Sequence, residues 1–175
     1  MTSEPGLGGY WCVACGEHHP GLPMSFAADA PAPYYWLPEE ERAARVDLTP
    51  DVCVIDGGEF YVRGVLEIPI LGTEELFVWG VWASLSEQSY RRTLELWDDE
   101  GRENEPPYFG WLCTDLPVYL DTLSLKTLVH ERPVGARPFV ELEPTDHPLA
   151  VEQREGITPD RAREISHTVM HPDTP

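Results

Sequence analysis

Two neighbouring segments with different hydrophobic patterns constrain the fold of this chain most. From residue 59 to residue 70 apolar residues occupy every second position, and Glu59, Arg63 and Glu67 fall between them. A period of two is typical of a β-strand that buries one face. Residues 76–85 are apolar at both parities, which predicts a strand covered on both faces. We interpret the two segments as successive strands of an antiparallel meander.

Turn and helix signals extend this pattern in both directions. Residues 52–55 read as a strand that turns at Asp56-Gly57-Gly58, and residues 123–131 and 137–143 read as a second hairpin. Helix-start signals occur at Pro38 and, most clearly, at Thr158-Pro159-Asp160. We therefore expect an α+β fold, an antiparallel sheet meander packed by two or three helices, with an N-terminal Cys-x-x-Cys knuckle.

The chain length favours a single domain. A chain of 175 residues is long enough to bury a core without disulfides or a metal. We expect the domain to cover residues 10–170, with flexible ends at 1–9 and 171–175, because neither end carries an apolar pattern that could pack.

The charge balance limits the partners that this chain can bind. It has 12 basic and 31 acidic residues, a net charge of −19, and Lys126 is its one lysine. Nucleic acid and anionic membranes are therefore not expected as partners, and a basic protein is the partner that this charge favours. The first residues carry no targeting signal and no apolar run approaches the length of a membrane span, so we expect a cytoplasmic protein. The oligomeric state is left open.

The sequence Cys12-Val13-Ala14-Cys15-Gly16 is the strongest local motif. Two cysteines at this spacing can reach one tetrahedral ion, and the glycine allows the left-handed turn that follows, so the motif predicts half of a zinc site. His18 is the nearest candidate for a third ligand, and His19, Cys53 and His147 are its rivals. Four protein ligands would make the zinc structural, whereas three ligands and a water would permit hydrolysis.

A second polar segment surrounds Asp146 and His147. An acid and a histidine near a helix start could serve as a general base or as a ligand with its orienting carboxylate, and Glu152 follows on the predicted helix. In a hydrolase, Asp146, His147 or Glu152 would transfer protons beside the zinc. The alternative is helix capping by Thr145 or Asp146, with no chemical role.

Three residues of the predicted central strands are candidates for ligand binding. The planar guanidinium of Arg63 could bind a carboxylate or a phosphate, although an arginine on a strand more often pairs with a neighbouring acid. Trp79 and Trp82 could line a pocket, but aromatic residues at strand parity usually belong to the core.

The ordered landmarks of the chain, from about Tyr10 to Ile157, resemble an uncharacterised bacterial family of cytoplasmic domains, the domain of unknown function 2199. The resemblance implies no substrate and no mechanism, but it implies that a set of polar positions recurs in the family and that the knuckle and the Asp146-His147 segment form one site. The landmarks are Cys12-x-x-Cys15-Gly16 with His18, Asp51-x-Cys53, Phe60-Tyr61-Val62-Arg63-Gly64, Trp79-Gly80-Val81-Trp82, and Asp146-His147-Pro148-Leu149-Ala150 with Gln153 and Gly156-Ile157. The recurring polar positions are Cys12, Cys15, His18, Cys53, Arg63, His147 and Gln153.

Two specific functional hypotheses follow from the sequence, and a third and less specific interpretation is a domain that binds a small molecule among its aromatic residues. The first is an acidic zinc-knuckle domain that acts as a binding or regulatory module for a basic protein. The alternative is a zinc-dependent hydrolase built from the Cys12/Cys15 knuckle and the Asp146-His147 segment. The usual phosphate-binding, nucleophile-elbow and metalloprotease motifs do not occur in the sequence, which favours the first hypothesis.

Overall fold

A computed structural model describes residues 8–12 and 15–173. Within these residues the chain forms ten β-strands and five α-helices, so the α+β class is confirmed and the helices outnumber the two or three predicted. The strands are β1 (Gly8–Trp11), β2 (His18–Gly21), β3 (Ser25–Ala27), β4 (Val46–Leu48), β5 (Val52–Ile55), β6 (Glu59–Pro69), β7 (Leu76–Leu85), β8 (Tyr108–Leu112), β9 (Lys126–His130) and β10 (Phe139–Leu142). The helices are α1 (Ala32–Trp36), α2 (Glu39–Arg45), α3 (Glu87–Glu95), α4 (Pro148–Glu155) and α5 (Pro159–Met170).

The sheet closes into a small barrel, so the predicted antiparallel meander is wrong. Strands β6 to β10 pair in order as antiparallel neighbours, and β10 then pairs with β6 in parallel through Phe139 and Val65. A second parallel pairing joins β3 to β7. The first residues of β6 also pair with β5, and β5 pairs with β4, so this hairpin extends the sheet.

Gly64 explains why β10 can close the barrel against β6. A Cβ atom at this position would lie 2.6 Å from Val140 Cγ2 and 2.8 Å from the Pro138 carbonyl oxygen. The Val65 amide donates a hydrogen bond to that same carbonyl at 2.9 Å. Closure therefore needs a residue without a side chain at the point where the two backbones approach.

The core occupies the inside of the barrel and continues on the outer face of β6 and β7. Phe77, Trp79 and Val81 belong to the main cluster, whereas Tyr61 and Trp82 pack on the other face with Cys53 and Ile55. Strand β7 is thus covered on both faces, as its apolar pattern predicts.

Two further elements position the site. The β1–β2 ribbon forms a separate two-stranded sheet, and α5 buries Ala162, Ile165 and Ser166. The predicted single domain stays a prediction, and residues 1–7, 174 and 175 of its expected flexible ends lie outside the described residues. No helix in the described part of the chain is long and apolar enough to cross a membrane.

Candidate metal centre

Four potential metal ligands converge where the N-terminal ribbon meets the end of the last helix. Cys12, Cys15, His19 and His171 each offer one ligand atom, and these atoms all lie within 4.8 Å of one another. Cys12 Sγ lies 3.1 Å from His171 Nε2, and Cys15 Sγ lies 3.2 Å from His19 Nε2. We call these four residues the Cys/His cluster.

The turn between β1 and β2 supplies the two cysteines. Cys12 follows β1 directly, its amide donates to the Glu17 carbonyl at 2.8 Å, and its own carbonyl accepts from the Gly16 amide at 2.8 Å. Gly16 has a φ of +71°, a conformation that residues with a side chain rarely adopt. This hydrogen-bonded turn positions Cys15 opposite Cys12, as the Cys-x-x-Cys-Gly pattern predicts.

Strand alternation selects His19 and turns His18 away from the cluster. His18 is the nearest candidate in sequence for the third ligand, but neighbouring side chains of a strand point to opposite faces. His18 pairs across the ribbon with Trp11, and its ring contacts the Trp11 ring edge-on at a centroid distance of 5.5 Å. His19 therefore occupies the place beside Cys15.

Helix α5 brings His171 to the ribbon from the other end of the chain. Thr158 caps its first turn by accepting from the Arg161 amide, and the Ser166 hydroxyl donates to the Pro23 carbonyl at 2.7 Å. The His171 amide donates to the His167 carbonyl at 3.0 Å and so extends the last turn. These contacts fix the histidine next to Cys12, 159 positions away in sequence.

The donor set and its spacing suit one tetrahedral ion. Zinc bound to thiolate sulfur and imidazole nitrogen separates neighbouring ligand atoms by about 3.6 Å at tetrahedral angles. The two sulfur–nitrogen distances are slightly shorter than this value, and the 4.8 Å limit leaves room for the remaining pairs. Cys12 is buried at 2% exposure while Cys15 is exposed, so the cluster lies at the surface with one protected side.

The Cys15 thiol holds its proton more tightly than an ordinary thiol does, because its pKa is raised. A hydrogen bond with the Glu17 backbone lowers the pKa of Cys15, but desolvation and the neighbouring Cys12 sulfur together raise that pKa above its ordinary value. An ion that binds the Cys15 thiolate must displace this proton, so acid opposes its binding.

The other predicted ligands lie elsewhere. Cys53 packs in the core beside Trp82, where burial raises the pKa of its thiol to about 11. His147 is the N-cap of α4: its Nδ1 accepts from the Leu149 amide at 3.2 Å, and its Nε2 lies 2.7 Å from the Leu120 carbonyl oxygen. The knuckle and the Asp146-His147 segment are thus not brought together.

The remaining candidate residues have structural contacts. Glu152 accepts from the Tyr119 hydroxyl and pairs with Arg161 at 2.8 Å, whereas Asp146 is exposed. Gln153 bonds to the backbone of β10. Trp82 Nε1 donates to the Ala28 carbonyl at 2.9 Å. Trp79 lies in the barrel core, and Arg63 lines a separate cavity that is described below.

The barrel, the attached ribbon and the Cys/His cluster define an α+β fold with a potential metal centre. The chain belongs to a family described as an uncharacterized protein conserved in bacteria (DUF2199), whose model matches residues 11–157. The comparisons with curated proteins and with solved structures found no match. Cys12, Cys15 and His19 lie inside the matched range, and His171 lies beyond its end.

Proposed function

We propose that this protein is a zinc-stabilised binding module, in which one zinc ion joins the N-terminal ribbon to the end of α5. The convergence of Cys12, Cys15, His19 and His171 within 4.8 Å carries the proposal. Two thiolates and two imidazoles form a donor set that favours zinc over the hard cations magnesium and calcium.

A structural role for the ion is supported by the number of its ligands. Four protein ligands complete a tetrahedral shell and leave no position for a catalytic water. The groups that the hydrolase hypothesis needs have other contacts, since His147 caps α4 and Glu152 pairs with Arg161. Zinc hydrolysis therefore has less support than zinc-stabilised folding.

The metal content of the purified protein tests the site. We expect about one zinc per chain by elemental mass spectrometry, and loss of most of it in Cys12→Ser, His19→Gln and His171→Gln. His18→Gln is the matched control, because His18 is the neighbour of His19 and contacts Trp11 instead. A wild-type protein without zinc, or equal loss in His18→Gln and His19→Gln, would contradict the proposal.

The binding role rests on the net charge and on one exposed face of the barrel. Phe109 and Trp111 of β8 are 51% and 41% exposed, and Leu128, directly opposite Phe109 on β9, is 40% exposed. Glu141 on β10 lies opposite Leu128 and continues the row. The Glu141 carboxylate itself lies 2.7 Å from His130 Nε2, so the apolar row and the net charge of −19 carry the argument. Together they suit a basic partner whose arginines stack on aromatic rings.

A fluorescein-labelled arginine-rich peptide tests this binding role. We expect the peptide to bind at low salt, to bind more weakly as salt is added, and to lose about tenfold in affinity to a Phe109→Ser/Trp111→Ser variant. Leu94→Ser on α3 is the control, since Leu94 is equally exposed but lies on a helix. Absence of binding, or an equal loss in Leu94→Ser, would overturn the role proposed for this face.

A further inference from the structure

A cavity of about 540 Å³ opens beside β6, and its lining includes neither Phe109 nor Trp111. Strand β6 forms its floor, the end of α3 forms one wall, and residues 131–138 between β9 and β10 form the other. This volume lies within the usual range for small-molecule sites.

Arg63 lines this cavity, and its guanidinium has few hydrogen-bonding partners. Its Nη1 lies 3.4 Å from the Pro50 carbonyl oxygen, and its buried Nε has no hydrogen-bond partner. Among the described residues it takes part in no ion pair, whereas seven other arginines do. These seven are Arg45, Arg91, Arg92, Arg132, Arg137, Arg161 and Arg163. A guanidinium whose buried Nε has no partner, and which pairs with no carboxylate, can bind the carboxylate of a ligand.

The cavity also contains a buried acid. Glu131 is 6% exposed and accepts a hydrogen bond from the Thr93 hydroxyl at 3.0 Å. Arg102 lies in the same wall, but its guanidinium donates to backbone carbonyls, among them those of Arg132 at 2.6 Å and Trp97 at 2.8 Å. Most N–H groups of the Arg102 guanidinium therefore donate to the backbone. The Glu131 carboxylate remains able to bind a cationic group.

The charge of the lining differs from that of the whole protein. The cavity is lined by three arginines and three acidic residues, whereas the chain has 12 basic and 31 acidic residues. Arg137 and Asp51 form an ion pair at 2.9 Å and neutralise each other at the rim. A ligand of zero net charge is not repelled by the overall −19, whereas a dicarboxylate or a phosphate is repelled.

We propose that this cavity binds a free amino acid with an apolar side chain. The ligand carboxylate pairs with the Arg63 guanidinium, and the ligand ammonium group pairs with the Glu131 carboxylate. Trp97, Val62 and Val134 supply apolar surface for the side chain. This site is independent of the zinc proposal, since its lining contains no member of the Cys/His cluster.

Titrations with matched probes test the site, followed by the amide chemical shifts of the ¹⁵N-labelled full chain. L-leucine and L-phenylalanine are the zwitterionic probes, 4-methylpentanoate is leucine without its amino group, and 3-methylbutylamine is leucine without its carboxylate. We expect at least one of the two amino acids to bind with a dissociation constant in the millimolar range, and each truncated analogue of leucine to bind at least tenfold more weakly than leucine.

Variants assign the two charged contacts. Arg63→Gln and Glu131→Gln should each weaken amino-acid binding about tenfold or more, and Arg63→Lys should restore part of the loss because it keeps the charge without the planar fork. Arg154→Gln, on the exposed surface of α4, is the control and should bind as the wild type does. Thermal unfolding of each variant confirms that it is folded.

Three results would overturn the proposal. One is the absence of shifts with both amino acids up to about 20 mM, at the weak limit of small-ligand affinity. Another is undiminished binding by folded Arg63→Gln. The third is 4-methylpentanoate binding as tightly as L-leucine, because it would show that the ammonium group makes no contact.

Discussion

The burial of Glu131 makes this residue contribute to the pH dependence of stability. Desolvation raises the pKa of this carboxyl above its ordinary 4.5, although the hydrogen bond from Thr93 and the charge of Arg102 act in the opposite direction. Above pH 4.5 the native state therefore holds this proton more tightly than the unfolded state does. The Glu131 contribution to the free energy of unfolding must then fall as the pH rises through the native pKa.

Glu131→Gln should remove this dependence. Relative to the wild type, we expect the variant to gain stability as the pH rises from about 4.5, until the native Glu131 is fully ionised, and then to level off. Urea unfolding at a series of pH values measures the difference. Glu143→Gln, at an exposed position, should show no such trend. A constant difference between Glu131→Gln and wild type across the series would contradict the argument.

At the residue scale, His19 and not His18 belongs to the cluster. Sequence distance from Cys15 favours His18, but the side chains of a strand alternate, and the β1–β2 pairing decides which histidine faces the cysteines. Recognising Gly8–Trp11 and His18–Gly21 as paired strands would have selected His19. These four-residue segments, rich in glycine and histidine, carry little strand signal in the sequence.

At the scale of elements, local pairings were predictable and distant ones were not. The hairpins β5–β6 and β9–β10 follow from alternation and turn residues, and Asp56 and Gly57 have the positive φ angles that a tight hairpin turn requires. The parallel pairings of β10 with β6 and of β3 with β7 join segments more than 50 residues apart in sequence. Periodicity shows which face of a strand is buried but not which strand lies at its edge.

Gln153 attaches α4 to the barrel at the element scale. Its Oε1 accepts from the Leu142 amide and its Nε2 donates to the Val140 carbonyl, both at 2.8 Å. We expect Gln153→Leu to lose about 2–4 kcal/mol of unfolding free energy, because two backbone groups of β10 lose their partner.

Urea unfolding measures this loss, and Gln88→Leu on the exposed surface of α3 is the matched control. Gln88→Leu should change stability by less than about 0.5 kcal/mol. If the two variants are equally stable, the contacts of Gln153 with β10 are not what attaches α4.

At the scale of the whole molecule, the Cys/His cluster connects the two ends of the chain. Its fourth member, His171, comes from a segment that the sequence analysis expected to be flexible, and it lies beyond the residues that match the family. A contact between positions 12 and 171 depends on how the entire barrel folds between them. Motif spacing could therefore identify the cysteines but not the last ligand.

Removal of the proposed zinc ion should lower the stability of the protein. An ion present at about 1,000 times its dissociation constant stabilises the native state by about 4 kcal/mol, which corresponds to roughly 8–16 °C in Tm for a chain of this size. We expect a strong chelator to lower the Tm of the wild type by about this amount. His171→Gln should start from a lower Tm and respond less, and His18→Gln should respond as the wild type does. If His171→Gln and the wild type respond equally, His171 is not a ligand of the ion.

The net charge of −19 predicts that salt stabilises this protein near neutral pH. Like charges repel within the compact native state and move apart on unfolding. Screening by salt therefore stabilises the native state more than the unfolded state. The surface ion pairs oppose this effect, but exposed pairs such as Arg91 with Glu87 contribute little.

We expect Tm to rise between about 20 mM and 300 mM sodium chloride at neutral pH. Near pH 4.5, the isoelectric point, the repulsion is gone and the same salt should leave Tm unchanged or lower it. A rise of equal size at both pH values would assign the effect to ion binding or to the hydrophobic core, and not to the charge of the chain.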